Sequence, residues 1–196
     1  MTKMYYQGHG SYRFTLNDGR VAYVDPYAGD GFDKPADLIL VTHGHRDHNQ
    51  IQLCTQKPNC RVITHDDALA GGKHNSFDID GIEVQAVEAK NLIHSPKHCV
   101  GYILSFDNLK IYCSGDTSKT KQMKSFSAMK LDYAIFCGDG KFNMGLKESA
   151  ECAEIIGAKH NIIVHLAPGK LFDRAKAKKW NAPNKIIVEP GEEIEL

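Results

Sequence analysis

The amino-acid sequence predicts a single α/β layered domain that spans residues 1–196. Two pairs of strand patterns are joined by tight turns, and short helical segments lie between the remaining strand patterns. The length of 196 residues and the hydrophobic content of 42% are sufficient for one buried core. No internal repeat and no linker-like composition divides the chain, so we expect the strands and helices to pack around that core.

Composition limits the classes of function. The 24 basic residues balance 24 acidic residues, so no overall charge favours nucleic acid or an anionic membrane. No window approaches about 18 uninterrupted apolar residues, and residues 1–8 lack the apolar segment of a secretion signal. The six cysteines form no C-x-x-C motif, which is typical of reduced thiols, and Cys99 beside His98 is interpreted as structural. We expect a cytoplasmic protein with a small-molecule substrate and without membrane or nucleic-acid partners.

The first predicted elements form a β-hairpin. Residues 12–16 and 21–24 are strand patterns joined by an Asn-Asp-Gly turn at 17–19, which suits positive φ. The second strand ends in an Asp-Pro pair that begins at Asp25. Upstream, His9 lies in a Gly-His-Gly stretch and could approach a pocket, but we interpret it as a structural histidine.

The stretch after the next strand carries the strongest chemical signal. An apolar run at 38–41 predicts a short buried strand, and four metal-capable side chains follow it within six residues: His43, His45, Asp47 and His48. His43 and His45 are two apart, so in an extended segment they project to the same side, whereas the other two follow a turn and can face a second position. Three imidazoles and a carboxylate suit zinc, iron or manganese rather than calcium. The alternative is a polar helix start with Asp47 as a cap, and the position directly behind an apolar strand favours the metal site.

The middle of the chain predicts alternating helices and strands. A helix is expected over about 49–56, stopped by Pro58. The segments that follow are a strand at 61–64, a short helix at 66–70, and a second hairpin formed by 76–79 and 82–86.

Three later predicted strands are followed by residues that we consider as candidate metal ligands or pocket residues. The predicted strands cover 100–106, 110–113, 131–137 and 162–164, and helices are predicted at 148–156, ended by Gly157, and at 170–179. Asp116 follows the second of these strands and could bind metal or cap a helix that begins near Ser118. The glycine-containing loop 138–144 is interpreted as a pocket wall that could contact substrate. His165 ends the last of these strands.

The motif T-H-G-H-R-D-H at 42–48 resembles the signature of the metallo-β-lactamase fold superfamily, whose members carry H-x-H-x-D-H after a core strand. The resemblance covers nearly the whole chain, because the D-P strand end, this motif, a histidine loop at 89–98, a G-D-T segment and a late strand-histidine occur in the family order. It is strongest to small, uncharacterised bacterial metal-dependent hydrolases that lack added domains. The resemblance implies an αββα-layered sandwich.

The resemblance also implies a two-ion site, with zinc as the expected metal and manganese or iron as alternatives. The implied assignments are His43, His45 and a third histidine for the first ion, Asp47, His48 and His165 for the second, Asp116 as a bridge, and Asp25 as the carboxylate that orients a ligand histidine. For the third histidine we favour His94, which follows a stretch resembling the A-Y-N-type loop of the small hydrolases. His98 is the alternative, because the spacing of residues 94–98 is similar to the H-T-P-G-H of thiolesterase relatives.

The implied activity is hydrolysis of a small ester, lactone, thioester or phosphodiester by a metal-activated hydroxide, with Asp47 orienting the nucleophile. No G-x-S-x-G motif offers a serine nucleophile instead. The alternatives are a metal-dependent nuclease or phosphodiesterase, a redox di-iron protein, and a non-catalytic binding protein that keeps metal for stability. Arg46 departs from the small residues common in the family, and could bind an anionic substrate or face solvent.

Overall fold

Two β-sheets lie face to face in the computed structural model, which describes residues 1–196. The strands are β1 (Lys3–Gly8), β2 (Ser11–Thr15), β3 (Val21–Val24), β4 (Ala36–Leu40), β5 (Gln56–Ile63), β6 (Ser76–Ile79), β7 (Ile82–Glu88), β8 (Val100–Phe106), β9 (Leu109–Cys113), β10 (Tyr133–Cys137), β11 (His160–Val164), β12 (Lys185–Ile186) and β13 (Glu193–Glu195). The helices are α1 (His65–Ala68), α2 (Met123–Phe126), α3 (Leu146–Ile156) and α4 (Arg174–Lys179), and 3-10 turns occur at Ile51–Leu53, Ala70–Gly72 and Ser127–Met129.

Each sheet combines antiparallel hairpins with a parallel part. The first sheet has the order β13-β1-β2-β3-β4-β5, and the second has the order β12-β11-β10-β9-β8-β7-β6. Strands β3, β4 and β5 are parallel, as are β9 to β12, and the hairpin pairings give β1 and β7 the same direction as the parallel strands of their own sheets. The segments that follow β1, β3, β4, β7, β9, β10 and β11 therefore leave their sheets at the carboxyl edges, where open α/β sheets bind ligands.

The central strands are apolar throughout because successive side chains face opposite sides of a sheet and both sides are buried here. Leu40 of β4 and Ile135 of β10 point into the core between the sheets, which contains 25 buried residues. Their neighbours Ile39 and Phe136 face outwards into two smaller clusters. A strand that is covered on both faces reads as a continuous apolar run, which is the pattern that predicted these strands.

Different elements cover the two outer faces. Helices α2, α3 and α4 pack on the second sheet, where the fully buried Trp180 donates from Nε1 to Oγ of Ser149 over 2.9 Å. On the first sheet, the 3-10 turn at Ile51–Leu53 and its neighbour Cys54 cover part of the outer face together with Phe32. The αββα sandwich is therefore confirmed, with a reduced helical layer on the first sheet.

The two hairpins and the longest helix are confirmed. Strands β2 and β3 pair antiparallel, as do β6 and β7. Helix α3 covers the predicted segment and ends at Gly157, whose φ of 67° lies in the left-handed region that favours glycine. No helix in the protein is long and apolar enough to cross a bilayer, since α3, the longest, has 11 residues.

Two predicted helices are wrong. The segment over 49–56 contains a single 3-10 turn, because the amide of Ala36 donates to the carbonyl of Thr55 over 2.7 Å and starts the pairing of β5 with β4. Pro58 lies inside β5 rather than after a helix, which is tolerated because β5 is an edge strand. The helix expected near Ser118 is absent as well. The amide of Ser118 donates to the carbonyl of Lys90 over 2.7 Å, and α2 begins only at Met123.

Strand β1 is one of the elements that the sequence did not predict. It lies between β2 and β13, so it pairs with segments from both ends of the chain. All six cysteines are free, and the buried Cys99 donates from Sγ to the carbonyl of Asp116 over 3.3 Å. This contact with the backbone is consistent with a structural cysteine.

Candidate metal centre

The carboxyl edges of the two sheets bring the predicted site residues together. Strands β3 and β4 of the first sheet lead to Asp25 and to the 43–48 segment, while β9 and β11 of the second sheet lead to Asp116 and His165. Three groups of side chains have donor atoms within 4.8 Å of one another, and their members are His43, His45 and His94, then His43, His48 and Asp116, then His9, Asp47, His48 and His165. All seven predicted metal ligands belong to these groups, and His98 does not.

Asp25 sets the tautomers of two histidines. It accepts hydrogen bonds from the amide and the hydroxyl of Thr42, both over 2.7 Å, and from Nδ1 of His48 over 2.8 Å. Because the Thr42 hydroxyl hydrogen is directed at Asp25, its oxygen accepts from Nδ1 of His43, 3.0 Å away. Both imidazoles therefore carry hydrogen at Nδ1 and direct Nε2 at the site, which is the orientation that metal-binding histidines need.

Unpartnered donor atoms converge in the interior of the site. Nε2 of His43, His48 and His165 and Oδ1 of Asp116 are all buried without a hydrogen-bond partner. Oδ1 of Asp116 lies 3.5 Å from Nε2 of both His48 and His165. A buried polar atom without a partner costs about 1–3 kcal/mol, so four of them facing one another are explained best by a cation that they bind. Three imidazole nitrogens and a carboxylate oxygen form a donor set that fits zinc and related transition metals.

The charges of the site favour an ionised carboxylate among imidazoles. Burial alone would raise the pKa of Asp116, but the neighbouring His48, His165 and His43 lower it to about 2. Burial opposes the charged form of His48 as well, yet Asp116 and Asp25 raise its pKa to about 9. Burial and the charge of His48 lower the pKa of His43 to about 2, so His43 is neutral at neutral pH and its Nε2 lone pair is free.

Of the two candidate histidines in the loop 89–98, His94 lies beside the exposed His45, whereas His98 belongs to none of the three groups. Nε2 of His94 is 3.0 Å from Nδ1 of His45, and the ring centroids of His94 and His43 are 4.4 Å apart. His94 is buried, whereas His98 is exposed and outside all three groups. The geometry therefore favours the His94 alternative, and its role as a ligand stays a prediction.

A chain of amide side chains fixes the position of His94. Asp139 Oδ2 accepts from Nδ2 of Asn143 over 2.6 Å, the oxygen of Asn143 accepts from Nδ2 of Asn91 over 2.5 Å, and Oδ1 of Asn91 accepts from the amide of His94 over 2.7 Å. The same Nδ2 of Asn91 faces Nδ1 of His94 over 2.8 Å, so in this arrangement the His94 hydrogen is on Nε2 and must leave before Nε2 can bind a cation. His43 needs no such change, whereas the raised pKa of His48 means that its Nε2 must also lose a proton before it binds a cation.

Asp139 belongs to the site although the sequence pointed only to its loop. It is buried, and its Oδ2 lies 3.4 Å from Nδ1 of His165. Burial would raise its pKa, but the contact with His165 and the amide hydrogen bonds from Phe142 and Lys141 hold that pKa well below its usual range. The loop 138–144 thus places a carboxylate beside Nδ1 of His165, and its expected contact with substrate stays a prediction.

His9 is the second site residue that the sequence did not assign. It is fully buried with a left-handed φ of 54°, and its Nδ1 donates to the carbonyl of Lys170 over 3.0 Å. Its Nε2 lies 3.0 Å from Oδ2 of Asp47, and this hydrogen bond keeps the pKa of Asp47 well below its usual range. Its position directly after a strand, like that of His165, was the signal that could have identified it.

Gly10 allows these groups to approach closely. A Cβ atom at this position would lie 2.7 Å from Cε1 of His48 and 3.5 Å from Cδ2 of His165. The His48 ring is held by Asp25 and cannot move away cheaply. Arg46, in contrast, is exposed and forms no ion pair, and its carbonyl accepts from the Gln50 side chain over 2.8 Å.

Comparisons with known proteins show the family to which this chain is similar in sequence and fold. The sequence pattern of the beta-lactamase superfamily domain matches residues 3–165. A protein of Pyrococcus furiosus described as a metal-dependent hydrolase is 27% identical over 228 residues, and the match covers all of both chains. A crystal structure from Parabacteroides distasonis, described as that of a candidate metal-dependent hydrolase, is 26% identical with a TM-score of 0.76, covering 94% of this chain and 91% of the other.

A metallo-beta-lactamase fold protein of Bacillus subtilis, YhfI, superposes with a TM-score of 0.70 at 16% identity, and the match covers all of both chains. At that identity the similarity shows the fold alone.

Proposed function

Because this chain belongs to the beta-lactamase superfamily and is a metal-dependent hydrolase, we propose that it binds two divalent cations and hydrolyses a small ester, lactone, thioester or phosphodiester. The observation that carries the proposal is the set of four buried, unpartnered donor atoms on His43, His48, His165 and Asp116. Zinc fits this donor set, with manganese or iron as alternatives.

The two ions would be held by different parts of the cluster. The residues proposed for the first ion are His43, His45 and His94, those for the second ion are Asp47, His48 and His165, and Asp116 is proposed as the bridge between them. A bridge in this position is supported by Asp116 belonging to the same group of donor atoms as His43 while also contacting His48 and His165. A pair of divalent cations lowers the pKa of water towards neutrality and polarises an electrophilic oxygen, which is the chemistry that such a centre supplies.

The protein groups have their own tasks. Asp47 is proposed as the catalytic carboxylate, because its low pKa keeps it ionised and able to accept a hydrogen bond from the attacking water. His9 is bonded to Oδ2 of Asp47 and so fixes the orientation of this carboxylate. Asp25 holds the ring of His48 by a hydrogen bond, and the carboxylate of Asp139 lies beside Nδ1 of His165. Asp116 itself is buried, whereas His45 and Asp47 lie on the side of the site that solvent and substrate reach.

A small-molecule substrate and a cytoplasmic location are part of the proposal. The balanced charge of the chain and its six unpaired cysteines support them. Nuclease or other phosphodiesterase activity is the alternative reaction on the same site, and a non-catalytic metal-stabilised binding protein is the alternative without a reaction.

Metal analysis combined with a substrate panel tests the proposal. Protein purified without chelator should contain up to two transition-metal ions per chain, measured by elemental analysis. Chromogenic esters, a lactone, a thioester and bis(4-nitrophenyl) phosphate should then be compared, with the metal-stripped protein as the control. Failure to bind any ion even after addition of zinc or manganese would refute the two-ion site, and metal binding without turnover of any substrate would favour the binding protein.

A further inference from the structure

Most of the large apolar side chains that the protein leaves exposed lie around the candidate metal centre. Six such side chains are exposed in the whole chain, and four of them are in the loops that hold the centre, namely Leu92 (92% exposed), Ile93 (53%), Phe142 (36%) and Leu171 (37%). The two others are Met1 and Leu53. Exposed apolar groups that gather at one place mark a binding surface more often than scattered ones do.

Three of the four are hydrogen-bonded through their backbone to residues of the site, and the fourth, Leu92, lies between Asn91 and Ile93 in the chain. The amide of Ile93 donates to Oδ1 of Asn91 over 2.9 Å, and Asn91 holds the adjacent His94. The carbonyl of Leu171 accepts from the amide of His9. These segments are therefore fixed by hydrogen bonds to the site, and their apolar side chains face solvent at its edge.

Phe142 is tied in the same way from another loop. Its amide donates to Oδ1 of Asp139 over 2.9 Å, and its neighbour Asn143 is bonded to Asn91 over 2.5 Å. The loop of Phe142 and the loop of Leu92 thus meet at the site through this amide pair. We call these four side chains the apolar rim.

Unpaired cations occur in the same loops. Arg46, Lys97, Lys141 and Lys170 are exposed and take part in no ion pair, and Nζ of Lys141 lies 5.0 Å from the ring centroid of Phe142. Lys90 is already paired with Glu88 over 2.9 Å. Because none of these four cations is neutralised in an ion pair, each is available to bind an anionic group of a ligand.

We propose that the substrate is an amphipathic anion, an ester or thioester that combines an apolar chain of several carbons with a carboxylate or phosphate group. The apolar rim binds the chain, and the unpaired cations bind the anionic group. In the reaction the oxygen of water forms a bond to the acyl carbon, the bond from that carbon to the leaving oxygen or sulfur breaks, and the leaving group departs as an alcohol or thiol with a proton from the water. This inference rests on the proposed hydrolase function and names its substrate class.

Binding of alkyl phosphates tests the rim without requiring turnover. The dissociation constants of ethyl, butyl, hexyl and octyl phosphate should be measured by calorimetry on the protein as purified. We expect binding to tighten about two- to fourfold per added methylene, where fourfold corresponds to about 0.8 kcal/mol for a fully buried CH₂. Leu92→Ser and Phe142→Ser should flatten this dependence, whereas Leu53→Ser, which alters an exposed leucine on the outer face of the first sheet, should not.

The cations are tested with the same ligands. Lys141→Ala and Lys170→Ala should weaken octyl phosphate binding, and Lys147→Ala on α3 should leave it unchanged. Equal affinity for ethyl and octyl phosphate, or equal losses in the control variants, would overturn the proposal. A dimer in light scattering that Phe142→Ser dissociates would also overturn the proposal. So would cosedimentation with phosphatidylglycerol vesicles that Leu92→Ser abolishes, if the affinity for alkyl phosphates does not depend on their chain length.

Hydrolysis separates this proposal from the function on which it rests. Mono-4-nitrophenyl esters of dicarboxylic acids carry both an apolar chain and a carboxylate, and 4-nitrophenyl acetate carries neither. We expect kcat/KM to rise with chain length in the dicarboxylate series. Hydrolysis that is indifferent to chain and charge would refute the amphipathic substrate and leave the hydrolase intact. An affinity for alkyl phosphates that rises steeply with chain length, without hydrolysis of any ester, would refute the hydrolase and leave the apolar rim as a binding site.

Discussion

At the scale of single residues, the hydrogen-bond partners of each histidine determine what it can bind. Asp25 accepts from both Thr42 and His48, and through Thr42 it also determines which nitrogen of His43 carries hydrogen. One carboxylate thus prepares two imidazoles for a cation. Asp25 itself has a left-handed φ of 47°, a conformation that aspartate tolerates better than most residues.

Asp116→Asn tests the bridging role. No helix begins at Asp116, so the structure leaves no capping role for this side chain, and its oxygen instead faces His48 and His165. We expect a folded protein in which at least one metal site is weakened, because the variant removes the negative charge between the cations. Metal content after equilibrium dialysis measures the effect, with Asp132→Asn on the surface as the control. Normal binding of both ions by Asp116→Asn would contradict the bridge.

His9→Asn tests whether His9 positions Asp47. Asparagine tolerates the left-handed backbone of this position, so the variant should fold, but its shorter side chain cannot reach Asp47. We expect turnover of the best ester to fall about 10–100-fold with little change in KM, the range typical for groups that orient metal ligands.

His9→Gln is the matched companion, since its amide can still donate to Asp47 and should recover part of the turnover. Thermal unfolding of both variants measures any loss of fold. Full activity in His9→Asn, or equal losses in both variants at reduced stability, would show that His9 has only a structural role.

At the scale of elements, the functional groups lie in the segments that leave the strands at one edge. The loop 89–98 after β7 is fixed by Asn91, which joins Asn143 in the loop after β10. This single amide pair connects the side of the site that contains His94 with the side that contains Asp139 and His165. The position of a loop residue is therefore determined by another loop rather than by its own strand.

His94→Ala and His98→Ala decide which histidine of this loop binds metal. Replacing the true ligand with alanine leaves the first ion with two protein imidazoles. The affinity of the protein for that ion should therefore fall sharply. Because His94 contacts His45 and His98 is exposed, we expect His94→Ala to lose metal and His98→Ala to retain it. Elemental analysis of the two proteins side by side gives the answer. Loss of metal in His98→Ala alone would transfer the role to His98.

At the scale of the whole molecule, the site lies across the junction of the two sheets. His43 and His48 follow a strand of the first sheet, whereas Asp116 and His165 follow strands of the second. A cation bound by all of them would connect the sheets in the folded state alone. Metal binding should therefore contribute to the free energy of unfolding.

Removal of metal should lower the thermal midpoint. At a free metal concentration about 100-fold above Kd, binding stabilises the folded state by about 2.7 kcal/mol, which corresponds to a change of about 5–10 °C for a chain of this size. Differential scanning calorimetry with EDTA measures it, and zinc-saturated EDTA is the control. If EDTA leaves the thermal midpoint of the metal-loaded protein unchanged, the ions do not connect the sheets.

The sequence by itself determined the local features of this protein. Continuous apolar runs predicted the central strands, turn residues predicted both hairpins, and the four metal-capable side chains directly behind a strand predicted a metal site at 43–48. The proposed roles of His94, Asp116 and His165 came from the resemblance to the superfamily. These signals depend on near neighbours in the chain, where steric and hydrophobic preferences act without knowledge of the fold. They also gave the resemblance from which the αββα sandwich followed.

Only the tertiary structure decided which residues meet. His9 reaches Asp47 because β1 lies beside β2 and leaves the sheet at the same edge as β4, and Asn91 reaches Asn143 because the loops after β7 and β10 converge. The helix predicted at 49–56 gave way to the pairing of β5 with β4. Long-range strand pairing and the packing of two sheets outweigh local preference by adding contacts that no short window of sequence contains.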